Sequence, residues 1–276
     1  MSVVDPYTHG HHGSVLRVHE WRTAENSAAY LLPELRPGMS LLDIGSGPGT
    51  ITADLAEIVA PGAVRGLDVS AEVVARAEQL ATARGLSNLT FAVGNAYDID
   101  APDGSVDVVH AHQVLQHLSR PVEALREFGR VAGPDGLVAA RDVDYEGTSW
   151  FPRLPALDEW FTVYLAVHRA VSGAPDAGRR LKAWAREAGF TDIRSSAELW
   201  LFESPGDRAW WGGAWAERAV HSDFADHARR LGAADDAALQ RIADGWHEWS
   251  THPDGWLLMP HGTLLARGAG PAGIVG

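Results

Sequence analysis

From residue 37 to residue 143 the chain alternates turn, short apolar run and amphipathic stretch, the pattern of successive β-α-β units. Pro/Gly turns precede four of the runs: RPGM before SLLDI (40–44), APGA before VRGLDV (64–69), APDG before SVDVVHA (105–111) and GPDG before LVAARDV (137–143). A further run, LTFAV (89–93), follows GLSN. Apolar strands of this kind, separated by helices, predict a parallel, doubly wound sheet buried on both faces.

The helices between them are also legible. In SAEVVARAEQLATARG (70–85), Ser70 is a natural N-cap, Glu72 sits in the positively polarised first turn, and Val73, Val74, Ala77, Leu80 and Ala81 form one stripe. Gly85 closes the helix. RPVEALREFGRVAG (120–133) repeats the design with Pro121 in its first turn. HEWRTAENSAAYLLPEL (19–35) predicts another helix outside the sheet.

Beyond residue 148 the composition changes: ten of the eleven tryptophans lie at or after Trp150, many in helical stretches such as 157–171 and 207–224. Two extended runs, TDIRSSAELWLFES (191–204) and GWLLMPHGTLLARG (255–268), supply two more strands around a helical segment at about 206–251. The expected fold is therefore α/β, Rossmann-like and doubly wound, a mostly parallel seven-stranded sheet with helices on both faces and a helical lid or cap. It divides into an N-terminal helical lid (1–36), a core (37–148) and a C-terminal part (149–276) holding the Trp-rich cap and the last strands. The closing GPAGIVG (270–276) reads as a loose tail.

Composition narrows the function. The formal charge of −13 argues against nucleic acid, whose binding rests on Lys and Arg neutralising phosphates. The absence of cysteine excludes disulfides, Fe–S clusters and thiol nucleophiles. The opening MSVVDPYTHGHHGSV lacks the basic start and apolar stretch of a signal peptide, and no apolar run approaches the ~18 residues of a membrane span. A cytoplasmic protein with no membrane association is expected.

The informative stretch is LLDIGSGPGT (41–50), a strand that stops at an acid and then turns on three glycines. Strand, glycine turn and helix N-terminus together make a site where backbone N–H groups meet a ligand. Gly45-x-Gly47-x-Gly49 departs from the dinucleotide fingerprint G-x-G-x-x-G, because its third glycine comes one residue early and Thr50 takes the last position. Asp43, two residues before the first glycine, would repel a pyrophosphate and attract a ligand carrying ammonium and sulfonium charges, of which S-adenosylmethionine is one. Asp68 ends the second strand, where a carboxylate accepts hydrogen bonds from ribose hydroxyls; NAD enzymes place an acid similarly, so Asp68 alone does not discriminate.

In this order LLDIGSGPGT, GLDVS, VGNAYDI and VDVVHAHQVLQHLSRP resemble the successive motifs of class I S-adenosylmethionine-dependent methyltransferases, particularly the ubiquinone/menaquinone-biosynthesis type and its small-molecule relatives. The resemblance covers roughly residues 37–143. It implies Asp43 near the methionine end of the cofactor, Gly45, Ser46, Gly47 and Gly49 along its backbone, Asp68 on the ribose and Val69 on the adenine. Asn95 and Ala96 stand where the family usually shows Asp and a small residue beside the adenine amino group; Asn still accepts that bond through its amide oxygen. His112 and Gln113 would sit near the cofactor at the mouth of the substrate site.

Methyl transfer from a sulfonium is an in-line displacement, so catalysis comes mainly from positioning, with a base where the acceptor carries a proton. The base candidates are His110, His112 and His117, with His117 preferred and His112 closer to cofactor. Tyr7, His9, His11 and His12 near the N-terminus read as a lid over the cofactor, with Tyr7 or His12 facing it, and not as a metal site, since no acid accompanies the Gly-interrupted cluster. Asp144 and Tyr145 are further candidates to line the site. Exocyclic-amine DNA methyltransferases carry Asn/Asp-Pro-Pro-aromatic where this chain reads HAHQVL, and cytosine-C5 enzymes use the cysteine this chain lacks. A small-molecule acceptor methylated at O, N or C remains, hydrophobic or aromatic if the tryptophans form a pocket and not merely the core of the cap. The competing readings are a non-methylating S-adenosylmethionine-binding member of the fold and an NAD(P) oxidoreductase.

Overall fold

The computed structural model describes residues 21–171 and 173–268. Along the chain run β1 (Leu41–Ile44), α2 (Thr50–Val59), β2 (Val64–Asp68), α3 (Ala71–Ala83), β3 (Leu89–Val93), β4 (Val108–His112), α4 (Pro121–Ala132) and β5 (Leu137–Val143), preceded by a four-residue helix α1 (Ala24–Ser27). Then follow β6 (Ser149–Phe151), α5 (Pro155–Val171), α6 (Ala177–Ala188), β7 (Asp192–Phe202), α7 (Pro205–His221), α8 (Asp223–Arg230), α9 (Asp236–Thr251) and β8 (Trp256–Arg267).

The strands form one sheet in the order β3-β2-β1-β4-β5-β8-β6, with β7 also paired to β8. The first five are parallel and the contacts of β8 with β5, β6 and β7 are antiparallel. The sheet has eight strands where the apolar runs predict seven. The additional one, β6, spans three residues, too few to register as a period-2 run. Helices cover both faces: Leu42, Ile44, Val109 and Val138 pack under α4 and α6, while Leu41, Val108 and Leu137 pack under α2 and α3.

Local chemistry explains the element ends. Ser70 caps α3 by accepting from the Val73 N–H, and Gly133 ends α4. The helix expected over 19–35 is not continuous among the described residues. The Thr23 side chain caps α1 in a box with Asn26, the helix ends after Ser27, and Pro33 belongs to a separate 3-10 turn over Leu32–Glu34. Tyr7, His9, His11 and His12 and the closing GPAGIVG lie outside the described residues.

The tryptophans pack as a core. Trp160, Trp215, Trp246 and Trp249 are fully buried between α5, α7 and α9, with Trp160 edge-on to Trp215 at 4.9 Å and to Trp246 at 4.8 Å. Among the described residues no helix is long and apolar enough to cross a membrane.

Candidate cofactor and acceptor cleft

Strand order reverses between β1, which leads to β2 on one side, and β4 on the other, so a crevice opens at the carboxyl ends of these two strands. The glycine turn lies there. Gly45, Gly47 and Gly49 take φ values of 65°, 55° and 85°, the left-handed region in which glycine alone is unstrained, and Gly49 hands the chain to α2. Gly45 also has no room for a side chain: a Cβ would lie 2.5 Å from Val114 Cγ2.

Asp68 holds this turn in place. Its Oδ2 accepts the Gly47 N–H and its Oδ1 accepts the Ser70 N–H, both at 3.0 Å. Each carboxylate oxygen has a second lone pair. Asp43, read from the sequence as facing ligand charge, is 3% exposed and already has two partners: Oδ1 meets His110 Nδ1 at 2.8 Å, and Oδ2 accepts the Thr52 hydroxyl at 2.6 Å. The β1–β4 register makes that contact, because Asp43 and His110 are directly paired. His110 is thereby spent on the strand pair and does not line the crevice, so the structure removes it as a base candidate.

One cleft is lined by Asp43, Gly45, Ser46, Gly47, Asp68, Val69, Asn95, Ala96, His112, Gln113 and His117. Gly49 lies behind it, facing Phe91 and Ala77. Val69 stands 53% exposed at the lip. Asn95 Oδ1 accepts the Tyr97 N–H at 3.0 Å, so Asn95 is also the turn residue of its own loop. Tyr7 falls outside the described residues. Asp144 and Tyr145 are elsewhere: Arg179 binds both oxygens of Asp144, and Tyr145 packs on Tyr164 at 4.6 Å.

The far wall is built by histidines at the end of β4. His112 is buried, and among the described residues neither ring nitrogen has a hydrogen-bond partner. Burial, reinforced by the charges of Arg22 and Arg141, pushes its pKa well below the usual 6.5. His117, in the 3-10 turn Leu115–His117, receives the Gln116 amide N–H on Nε2 at 3.1 Å and stacks on His168 at 5.4 Å. Burial, then His168 and Arg22, pushes its pKa well down too. Both rings are neutral at pH 7, and His112 alone of the two keeps an unengaged ring nitrogen pair.

Sequence reasoning missed Arg22 and Tyr97 in the lining and His261 behind it. Arg22 carries no local signal, since tertiary folding alone brings it to β4. A polar residue at the buried parity of an apolar strand, as His261 is between Met259 and Thr263, is a usable signal.

The methyltransferase-domain family model matches residues 35–189. The chain is 30% identical to an uncharacterized methyltransferase of Schizosaccharomyces pombe over 95% of this chain and 96% of that one. It is 29% identical to a probable methyltransferase of Aspergillus luteorubrus over 94% and 96%. In fold it resembles the phosphoethanolamine N-methyltransferase 2 of Haemonchus contortus, solved in complex with S-adenosyl-L-methionine, at 19% identity and a TM-score of 0.52 over 84% of this chain and 49% of that one. The glycine turn, the sheet order and these matches agree, and the chain belongs to the class I S-adenosylmethionine-dependent methyltransferases.

Proposed function

We propose that this cleft binds S-adenosylmethionine and presents its methyl group to a small-molecule acceptor held against His112, Gln113 and His117. The observation that carries the reading is continuity: the glycine turn, the carboxylate at the end of β2 and the imidazoles at the end of β4 line one cleft. The residues fit the cofactor. The Ser46 hydroxyl is buried in the wall without a hydrogen-bond partner among the described residues, a polar group free to meet a polar ligand.

When bound, the cofactor supplies an electrophilic methyl on a sulfonium. Asp68 would accept the ribose hydroxyls, the backbone of Gly45–Gly49 would follow the methionine part, and Val69 with Asn95 and Ala96 would border the adenine. The protein's contribution to the transfer is orientation of the acceptor atom in line with the methyl. His112, neutral and with both nitrogens unengaged, takes the proton of a hydroxyl or amine acceptor. His117, whose Nε2 lone pair already faces Gln116, shapes the acceptor end.

Calorimetric titration with S-adenosylhomocysteine, NAD⁺ and NADP⁺, on wild type and Asp68→Ala, tests the reading. The expected outcome is binding of S-adenosylhomocysteine alone, weakened about tenfold to a hundredfold in the variant, the loss of one or two hydrogen bonds to a charged group. Binding of a nicotinamide cofactor in place of S-adenosylhomocysteine by the folded protein would overturn it.

A further inference from the structure

Gln113 is the single non-glycine residue among those described with φ in the left-handed region, at 55°. Strain of this kind persists where the surroundings over-determine it, commonly at functional sites. Here the backbone N–H of Gln113 donates to the Arg141 carbonyl at 2.7 Å, and the side chain is gripped at both ends. Its Oε1 accepts from Arg22 Nη2 at 2.9 Å, and its Nε2 lies 3.0 Å from His261 Nε2.

The chemistry of that chain admits one arrangement. An amide NH₂ only donates, so His261 Nε2 carries the lone pair and His261 Nδ1 carries the hydrogen, which is directed at the Met259 carbonyl 3.1 Å away. Turning the Gln113 amide over would set NH₂ against a guanidinium and oxygen against a lone pair. His261, 148 residues away in sequence and buried in β8, therefore dictates which end of Gln113 faces Arg22. Trp200 packs on the His261 ring at 4.4 Å and under the Arg22 guanidinium at 5.6 Å, so Gln113 and Trp200, two of the groups that hold Arg22, rest on the same imidazole.

We propose that His261 is a positioning residue of the transferase cleft: through Gln113 and Trp200 it seats Arg22 in the wall beside His112 and His117. The proposal rests on the reading of the cleft as the cofactor and acceptor site. The groups facing His261 are Arg22, Arg141 on β5, His112 on β4, and Glu198, its register partner on β7, which Arg141 Nε meets at 3.1 Å. Protonating His261 makes both its nitrogens donors, so the Gln113 amide must turn over and Arg22 loses the Gln113 oxygen as an acceptor. The folded-state pKa of His261 lies well below 6.5, because burial and the Arg141 charge oppose the cation, and this release belongs to acid pH.

The test combines imidazole nitrogen NMR of the whole protein with S-adenosylhomocysteine titrations between acid and neutral pH on wild type, His261→Leu and His261→Gln. Wild-type His261 is expected to show the Nδ1–H tautomer. At neutral pH His261→Leu should bind about tenfold more weakly, one hydrogen bond's worth. His261→Gln, whose amide oxygen accepts from Gln113 without titrating, should bind within about threefold of wild type by the same scale and lose less affinity in acid than wild type does. His112 and His117 titrate in all three proteins, so the difference between curves reports position 261 together with its effect on the neighbouring His112. An Nε2–H tautomer, or equal affinities of wild type and His261→Leu, would overturn the proposal. Failure of wild type itself to bind S-adenosylhomocysteine would instead sink the reading of the cleft, with the tautomer still deciding the role of His261.

Discussion

At the residue scale, the cleft is lined by Asp68 from the end of β2 and by neutral imidazoles at and after the end of β4, and on the proposed function the histidines set its pH behaviour. His112 has its pKa pushed well below 6.5, so its base form is present throughout the neutral range. Methyl transfer from S-adenosylmethionine to a hydroxyl or amine acceptor should have a rate that is flat above about pH 6.5 and falls only in acid, as the imidazole charges. His112→Asn should lower kcat by about 10²- to 10⁴-fold, the usual span for a lost general base, and leave S-adenosylhomocysteine affinity nearly unchanged. Single-turnover rates alongside calorimetry check both; an unchanged kcat would remove the proton from His112. What the sequence could show here was residue type and order: the left-handed turn at Gly45, Gly47 and Gly49 follows from glycine spacing, and Asp68 from its place at a strand end. The inward pairing of Asp43 with His110 and Thr52 follows from register between β1 and β4, which no local pattern states.

At the element scale, the C-terminal helices meet through glycines that carry no visible helix signal. Gly212 in α7 lies against α9, where a Cβ would meet the Trp246 carbonyl oxygen at 2.8 Å and Ser250 Cβ at 2.6 Å. Its neighbour Gly213 has nothing within 4 Å. The two should therefore respond oppositely to alanine. Gly213→Ala gains about 0.5–1 kcal/mol of helix propensity and should raise the thermal midpoint by a degree or more. Gly212→Ala gains the same propensity but overpacks a backbone contact at a cost of about 1–3 kcal/mol, and should lower the midpoint by several degrees. Scanning calorimetry of the pair decides it, and a stabilised Gly212→Ala would mean that the helices do not meet here. Strands and long helices were readable because burial imposes a period on them. The interrupted segment 21–35 was not, because a capping box at Thr23 and the proline at position 33 overrode an apolar pattern that resembles a helix.

At the scale of the whole molecule, the burial of ionisable groups on and beside β4, β5, β8 and α5 sets a narrow range of best stability. His112, His117, His168 and His261 are all held neutral by burial, His168 with a pKa pushed down to about 4. Below pH 6.5 the unfolded chain binds protons on these histidines that the folded chain refuses, so stability falls as pH falls. Asp142, buried beside the Gln116 backbone N–H, works the other way: burial pushes its carboxyl from 3.8 up to about 8, so the folded chain keeps a proton that the unfolded chain has lost. Between pH 4 and 8 that group makes stability fall as pH rises, by about 1.4 kcal/mol per pH unit for one proton. At pH 6.5 the four histidines of the unfolded chain still bind about two protons against the one kept by the carboxyl, so the histidines outweigh it until about pH 7, and above that the carboxyl dominates among these five. The thermal midpoint should therefore peak at about pH 7 and decline toward pH 8, and Asp142→Asn should flatten the decline while leaving the acid arm in place. Melting curves followed by circular dichroism from pH 5 to pH 9 would show it. A wild-type midpoint still rising between pH 7 and 8 would mean that Asp142 is ionised in the fold, with a partner its buried surroundings do not reveal.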